Sequence, residues 1–455
     1  MHTHIRWLAL SAFIGGGLLL PVSASRAQAA QATTTKTTTS GAADASRSVD
    51  AAAATPEHSA PRTTFAAPSA LAPFKAGDRF FNVDATGALQ VRDGEHGVPR
   101  VLLPGGSFSV LAPAPNGRYI AYAVPVPGSA AGAVATQIRI RDVQTGRDLP
   151  DVLHRARISP APWSHDNKGF LYIREDSAGG RERVYYHGVG RAEAKDALIL
   201  SQFDHPEWRY AARVSDDGHY AVFTISYPAD SHTRIYFIDL ADPGKPNFGA
   251  PVVKLAQAFD ARYEFVDNAG SYFFLQTDRG APLGRILLAN TDAIREARWP
   301  SLIPESADTL LYARTAGDEY LIAVYRSATG ASVARVYGPQ DPSVLRAEIR
   351  ERMDSLRKSR EKNDDRRSTR GMGPRGFMDN GPAIRLEPRA DLPIPAGAGI
   401  VALNSVADDQ QLFYTVRLSD GTMQSFMYDV KKARAERYPA ASASSAAPVN
   451  PSTSY

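Results

Sequence analysis

Few of the side chains able to do chemistry fall in a pattern that does any. Ten histidines are present. No His-Glu-x-x-His occurs, no two histidines stand at helical spacing, and no comb of carboxylates is offered, so no metal site is expected. His165, His187 and His219 fall in turns or at strand ends, where a solvated or hydrogen-bonded imidazole is the usual case. The acidic pairs Asp216-Asp217 and Asp408-Asp409 sit in turn sequences. Aspartate there bonds its own backbone, and turn-making outweighs calcium binding. Cysteine is absent, which removes disulfides, thiolate nucleophiles and Cys-ligated zinc. No Gly-x-Ser-x-Gly elbow exposes a serine as nucleophile, and the glycines form no phosphate-binding loop. No catalytic residue, cofactor or metal is therefore expected from the chain itself.

What the chain has instead is a repeated frame. Ser215-Asp216-Asp217-Gly218-His219-Tyr220-Ala221-Val222-Phe223-Thr224-Ile225 reads as a tight turn followed by a strand. Asp and Gly supply the turn, because Gly accepts positive φ, and the aromatic and β-branched run suits a pleated surface. Related copies put an aromatic residue at positions 119, 170, 220, 272, 320 and 413, with steps of 51, 50, 52, 48 and 93. A second marker, Arg followed by Ile or Val, recurs at Arg139, Arg183, Arg234, Arg285 and Arg335, with steps of 44, 51, 51 and 50. Two markers sharing one period of strand and turn point to the blades of a β-propeller. Three short strands, 78–83, 88–92 and 100–103, form a first blade without the clear turn signature. One plus six gives seven four-stranded blades. Six or eight also fit, because sequence fixes blade edges poorly.

The remainder divides by composition. Residues 1–29 read as a secretory signal: Arg6 supplies positive charge, Trp7 to Val22 is apolar, and Ala27-Gln28-Ala29 is a small-residue cleavage site. The alternative is a membrane anchor, but the run falls short of the roughly 20 residues a span needs. The mature chain is expected to be exported, periplasmic or secreted, with no stable membrane span. Residues 30–72, rich in Ala, Thr, Ser and Pro, read as a disordered tether, and 431–455 as a disordered tail after a propeller at 73–430. The 93-residue step leaves room for an insertion at 341–392. There Asp341-Pro342 suits a helix start, and Leu345, Ile349, Met353 and Leu356 form one apolar stripe. Ten basic and six acidic residues follow between Arg346 and Arg370, then a Gly- and Pro-rich loop to 382. This is either a solvated helix leaning on the rim or a docking arm. Lys and Arg total 52 against 48 Asp and Glu, too even for a nucleic-acid partner to be expected.

Several stretches resemble one family closely. Ile140-Arg141-Asp142-Val143-Gln144-Thr145-Gly146-Arg147-Asp148-Leu149-Pro150-Asp151 is the most specific; others are Trp163 to Tyr172, Val184 to His187, Tyr263 to Val266, Thr277 to Arg285, and Trp299 with Ile303-Pro304-Glu305. From about 77 to 430 the chain resembles the propeller domain of the prolyl oligopeptidase family of serine peptidases. The resemblance implies a propeller that caps an α/β-hydrolase domain and restricts its substrates to short peptides, cleaved after proline. The family's Ser, Asp and His lie in that other domain, after the last blade. Arg234-Ile235-Tyr236-Phe237 matches the family pattern whose Arg bonds the substrate backbone. Because Arg recurs at this place in five copies, Arg234 also reads as a strand-edge Arg of the repeat. The expected function is the substrate-gating part of a serine-type endopeptidase, inactive alone. Its expected partners are a separately encoded hydrolase domain or short proline-containing peptides. The alternative is a non-catalytic peptide- or protein-binding scaffold propeller in the cell envelope.

Overall fold

Each copy of the repeat becomes four antiparallel strands, because its tight turns reverse the chain and its apolar runs are too short and too β-branched for helices. The computed structural model describes residues 72–125, 136–175, 180–292, 294, 299–317, 319–339, 386–405 and 409–438. The signal, the tether, the stretch 341–385 and the end of the tail lie outside the described residues.

Seven four-stranded sheets follow one another in chain order. Blade 1 is β1 (Phe74–Ala76), β2 (Arg79–Val83), β3 (Leu89–Asp93) and β4 (Arg100–Leu103). Blade 2 is β5 (Val110–Pro113), β6 (Tyr119–Pro125), β7 (Thr136–Asp142) and β8 (Arg147–His154). Blade 3 is β9 (Ala156–Arg157), β10 (Gly169–Glu175), β11 (Glu182–Gly188) and β12 (Ala197–Leu200). Blade 4 is β13 (Arg209–Val214), β14 (Tyr220–Tyr227), β15 (Asp230–Asp239) and β16 (Val253–Ala256). Blade 5 is β17 (Tyr263–Ala269), β18 (Tyr272–Thr277), β19 (Arg285–Asn290) and β20 (Ser301–Ile303). Blade 6 is β21 (Thr309–Ala316), β22 (Tyr320–Arg326), β23 (Ser332–Pro339) and β24 (Leu386–Asp391). Blade 7 is β25 (Gly399–Ser405), β26 (Gln411–Arg417), β27 (Met423–Asp429) and β28 (Arg434–Arg437). The fold is the expected seven-bladed, all-β propeller. No helix among the described residues is long and apolar enough to cross a membrane.

Two boundaries move. The outer strand of blade 6 is Leu386–Asp391, paired with β23, so the insertion ends before 386 and not at 392. The tail expected from 431 begins later, because Arg434–Arg437 pairs with β27 and Tyr438 is buried. The outer strands of blades 6 and 7 are mostly exposed and carry charge, as in the Arg-Ala-Glu-Arg of β28. The apolar pattern that marks inner strands is therefore missing from these two.

The second strand of a blade is buried on both faces, as in Tyr220–Tyr227 with its run of six buried residues. A neighbouring blade covers each face, so alternation is lost there. The period itself is a contact distance. Trp163 Nε1 donates to the carbonyl of Ala112 at 2.8 Å, and the amide of Asn116 donates to Asn167 Oδ1 at 3.0 Å; both pairs are 51 residues apart. Asn268 Nδ2 reaches Asp217 Oδ2 at 2.6 Å across the same interval. Equivalent residues of successive blades touch, which is why the repeat length is held so closely.

Blade 7 meets blade 1 without sharing a strand. Lys75 pairs with Asp409 at 2.5 Å, Asn404 Nδ2 donates to the carbonyls of Ala72 and Pro73, and Arg92 bonds the Tyr438 hydroxyl. Phe80, Phe413 and Tyr438 are the buried apolar residues at this seam. Every other blade interface has a larger apolar cluster, such as the one running from Tyr220 to Trp299 between blades 4 and 5.

Strand directions define two faces. The hairpins joining second to third strands and the links between blades lie on one, here called the connection face. The turns joining first to second and third to fourth strands lie on the other. The stretch between Pro339 and Leu386 leaves from this turn face, since it joins β23 to β24.

Candidate functional site

Residues from all seven blades, on or just after their first strands, bound a cavity of about 290 Å³. Most of its wall is apolar, with Phe74, Pro113, Pro160, Trp163, Val266 and Leu403. Against that wall stand charged groups from blades 4 to 6, at the ends of β13, β17 and β21, just before the repeat's turn. Arg213 Nη2 lies 3.4 Å from Asp216 Oδ1, and its Nη1 reaches the carbonyls of Phe265 and Val266 at 3.4 and 3.2 Å. Asp267, only 3 % exposed, accepts from Thr315 Oγ1 at 2.5 Å and from the Asp216 amide at 3.4 Å. It thus joins blades 4, 5 and 6. Burial pushes the Asp267 carboxyl up to about 8, with the Asp216 charge adding to it and Arg213 and Thr315 opposing. Burial also lowers Arg314 from its ordinary value, an effect that Glu264 resists and Arg213 reinforces. Burial lifts the neighbouring Tyr312 hydroxyl to about 12.

Arg234 lies elsewhere. It is on β15, opposite Ile225, toward the connection face. Its guanidinium rests over Phe259 at 4.0 Å and over Trp208 at 4.7 Å; both rings belong to links between blades. His205 stacks on the outer side of this group, 4.1 Å from Trp208. The other Arg-led strands behave in part alike: Arg183 lies 5.6 Å from the Phe203 ring and Arg335 5.5 Å from the Tyr325 ring. The repeated Arg therefore has a structural use wherever an aromatic ring stands beside it. The Arg234 Nε is buried without a hydrogen-bond partner among the described residues.

The histidines divide sharply. His219 is exposed and bonds the carbonyl of Ala241 at 3.0 Å. His165 lines the axial cavity. His187 is fully buried, and its ring nitrogens meet Asp151 Oδ1 at 2.9 Å and Asp196 Oδ1 at 2.9 Å. Tyr172 donates to the same Asp196 carboxylate at 2.9 Å, and the Gly190 amide donates to Asp151. Burial opposes charge on His187, but the bonds and charges of Asp196 and Asp151 outweigh it and raise the imidazole above its ordinary value. This Asp-His-Asp group ties blade 2 to blade 3. It has no serine in place and resembles no nucleophile-activating triad.

The most specific sequence run explains itself in the same terms. Arg141 Nη1 bonds the Leu102 carbonyl of blade 1 at 2.5 Å, and its Nε meets Asp148 at 2.7 Å. Tyr122 donates to that same carboxylate. Asp142 closes the turn through the Thr145 amide, and Asp151 reaches His187 of blade 3. The run fastens three blades together and carries no chemistry of its own.

Sequence reading located Arg234 but missed Arg213, Asp267, Arg314 and the Asp151–His187–Asp196 group. A polar residue inside an apolar first strand was the available signal for the first three. Nothing local marks Asp151 and Asp196 as neighbours of His187.

Comparison with known proteins is consistent across sequence and structure. Residues 105–370 match the family model described as prolyl oligopeptidase, N-terminal beta-propeller domain. The chain is 26 % identical to prolyl oligopeptidase A of Amanita bisporigera over 43 % of its own length and 28 % of the relative's. It is 27 % identical to the dual function macrocyclase-peptidase POPB of Galerina marginata over 50 % of its length and 33 % of the relative's. Prolyl endopeptidase of Elizabethkingia meningoseptica is 26 % identical over 46 % and 29 % of the two chains. Among solved structures, apo prolyl oligopeptidase B from Galerina marginata superposes with a TM-score of 0.61 at 18 % identity. That match covers 81 % of this chain and 50 % of the other. The chain thus spans about a third of the length of these curated relatives and about half of that solved chain. It belongs to the prolyl oligopeptidase N-terminal β-propeller family.

Proposed function

We propose that this propeller is the substrate-gating part of an exported serine-type prolyl endopeptidase and works with an α/β-hydrolase domain seated on its connection face. The carrying observation is the axial cavity lined by residues from all seven blades. A ring of that kind admits a narrow chain and excludes a folded one. Two features favour the connection face. By strand direction β1 starts and β28 ends toward it. Arg234 lies there among the links.

In this reading the hydrolase supplies a Ser activated by His, with its own donors for the oxyanion. The propeller supplies steric selection, and Arg234 bonds the peptide backbone. Pre-set on two rings, its guanidinium would lose little freedom on binding.

The test is affinity capture from the source organism's envelope fraction with the tagged chain, followed by a serine-directed fluorophosphonate label and a proline-containing chromogenic peptide. A labelled, active hydrolase in the captured fraction supports the reading. Turnover by the purified chain alone, or recovery of no labelled hydrolase, overturns it. Arg234→Ala should raise KM for a short peptide in the captured complex while kcat changes less.

A further inference from the structure

The axial cavity holds two guanidinium groups but a carboxylate for only one of them. Arg213 has Asp216. Arg314 donates to the carbonyl of Ala313 at 2.8 Å and has no ion pair among the described residues. Glu264 favours its charge from a distance, and Arg213 disfavours it. Lys75 is occupied by Asp409 at 2.5 Å. Asp267 is buried behind the cavity lining and engaged by Thr315 and the Asp216 amide, and burial holds its carboxyl above the ordinary range. The cavity therefore has a positive end at Arg213 and Arg314 and an apolar end at Phe74, Trp163 and Leu403. Its volume of about 290 Å³ lies at the lower end of small-ligand sites, about 300–1,000 Å³.

We infer that this cavity binds a short peptide by its free C-terminal carboxylate, with Arg314 as principal donor, Arg213 as second, and the last side chain against the apolar wall. A guanidinium fork matches a planar carboxylate in two parallel bonds. A peptide C-terminus presents a carboxylate next to a side chain that can be apolar, and its preceding residues fit a ring open along its axis. A bare inorganic anion would leave the apolar end unused. The site lies wholly within the ring and does not rest on a hydrolase partner.

The test is calorimetric titration of the full chain at pH 7 with Ala-Ala-Phe as the free acid, the same tripeptide amidated, and sodium acetate or inorganic phosphate alone. The free acid should bind at least tenfold more tightly than the amide or either anion. Arg314→Gln should abolish that difference, Arg314→Lys should keep part of it, and Asp216→Asn, which removes the competing carboxylate, should tighten the acid. Thermal melts establish that each variant is folded. If the two peptides bind alike, if neither binds, if phosphate binds as tightly as the acid, or if folded Arg314→Gln keeps full affinity, the inference is wrong.

Discussion

His187 and Asp267 are both buried ionisable groups between blades, and they respond to pH in ways that can be separated. The folded His187 imidazole titrates above its ordinary 6.5. Its two carboxylate bonds therefore contribute fully below that value and are lost as pH rises through the elevated one. Removing the imidazole as His187→Ala leaves two buried carboxylates facing each other. The expected cost is about 3–5 kcal/mol at pH 6, as for other broken buried pairs, measured by denaturant unfolding. Asp267 is the opposite kind of group, an acid raised in the folded state from 3.8 to about 8. The native state then holds a proton that the unfolded chain has released, so stability falls as pH rises from about 4 to about 8 and levels off above. Its charged neighbours are Asp216 and Arg213 on blade 4, and the Thr315 hydroxyl of blade 6 bonds it. Asp267→Asn keeps an acceptor for the Asp216 amide and a donor for Thr315, so this variant should be more stable than the parent at pH 8.5 and flatter in Tm between pH 5 and 8.5. A profile unchanged from the parent's would show that Asp267 is ionised when folded.

The repeating element is the turn that joins first to second strand, and its geometry depends on one residue in the left-handed region. Gly218 holds φ +75°, and a Cβ there would lie 2.5 Å from the His165 ring of the preceding blade. Blade 3 fills the equivalent place with Asn167 at φ +58°, a residue type that tolerates that region. Blade 1, which lacks the recognisable signature, still turns at Gly77 with φ +53°. Gly218→Ala combines backbone strain with a clash and should destabilise by about 2–4 kcal/mol; His165→Gly in the same chain should recover the part due to the clash, since the His165 Cβ itself would lie 2.7 Å from the added atom. An unchanged midpoint in urea would mean that the turn is not constrained by its neighbour. The blade 6 strands on either side of the insertion, β23 and β24, still pair as third and fourth strands.

Across the ring, cohesion is uneven. Six interfaces carry apolar clusters built from the large faces of second and third strands, and the seventh has Phe80, Phe413 and Tyr438 with Met427 beside them. No shared strand closes the circle there, so opening at that seam breaks side-chain contacts but no sheet ladder. Hydrogen exchange should therefore reach β1 and β28 before the matching strands of blades 3 and 4, and Phe413→Ala should widen the difference. Uniform exchange around the ring would contradict a weak seam.

The sequence by itself determined the repeat and the family, because those follow from turn residues and strand patterns read within a few positions of one another; the count of seven blades, against six or eight, was decided by the structure. Asp-Gly turns, aromatic strand starts and Arg-led third strands are local features, and the aromatic and Arg markers fell on second and third strands as their spacing placed them. Outer strands such as Leu386–Asp391 and Arg434–Arg437 were not legible, because they lie partly in solvent and need no apolar code. Only the tertiary structure decided what faces the axis and what is locked between blades. Arg213, Asp267 and Arg314 become neighbours, and His187 gains Asp151 from another blade, because closing the ring brings together side chains that lie tens of residues apart along the chain. No local pattern encodes that distance: it arises from stacking each sheet on the next until the last meets the first.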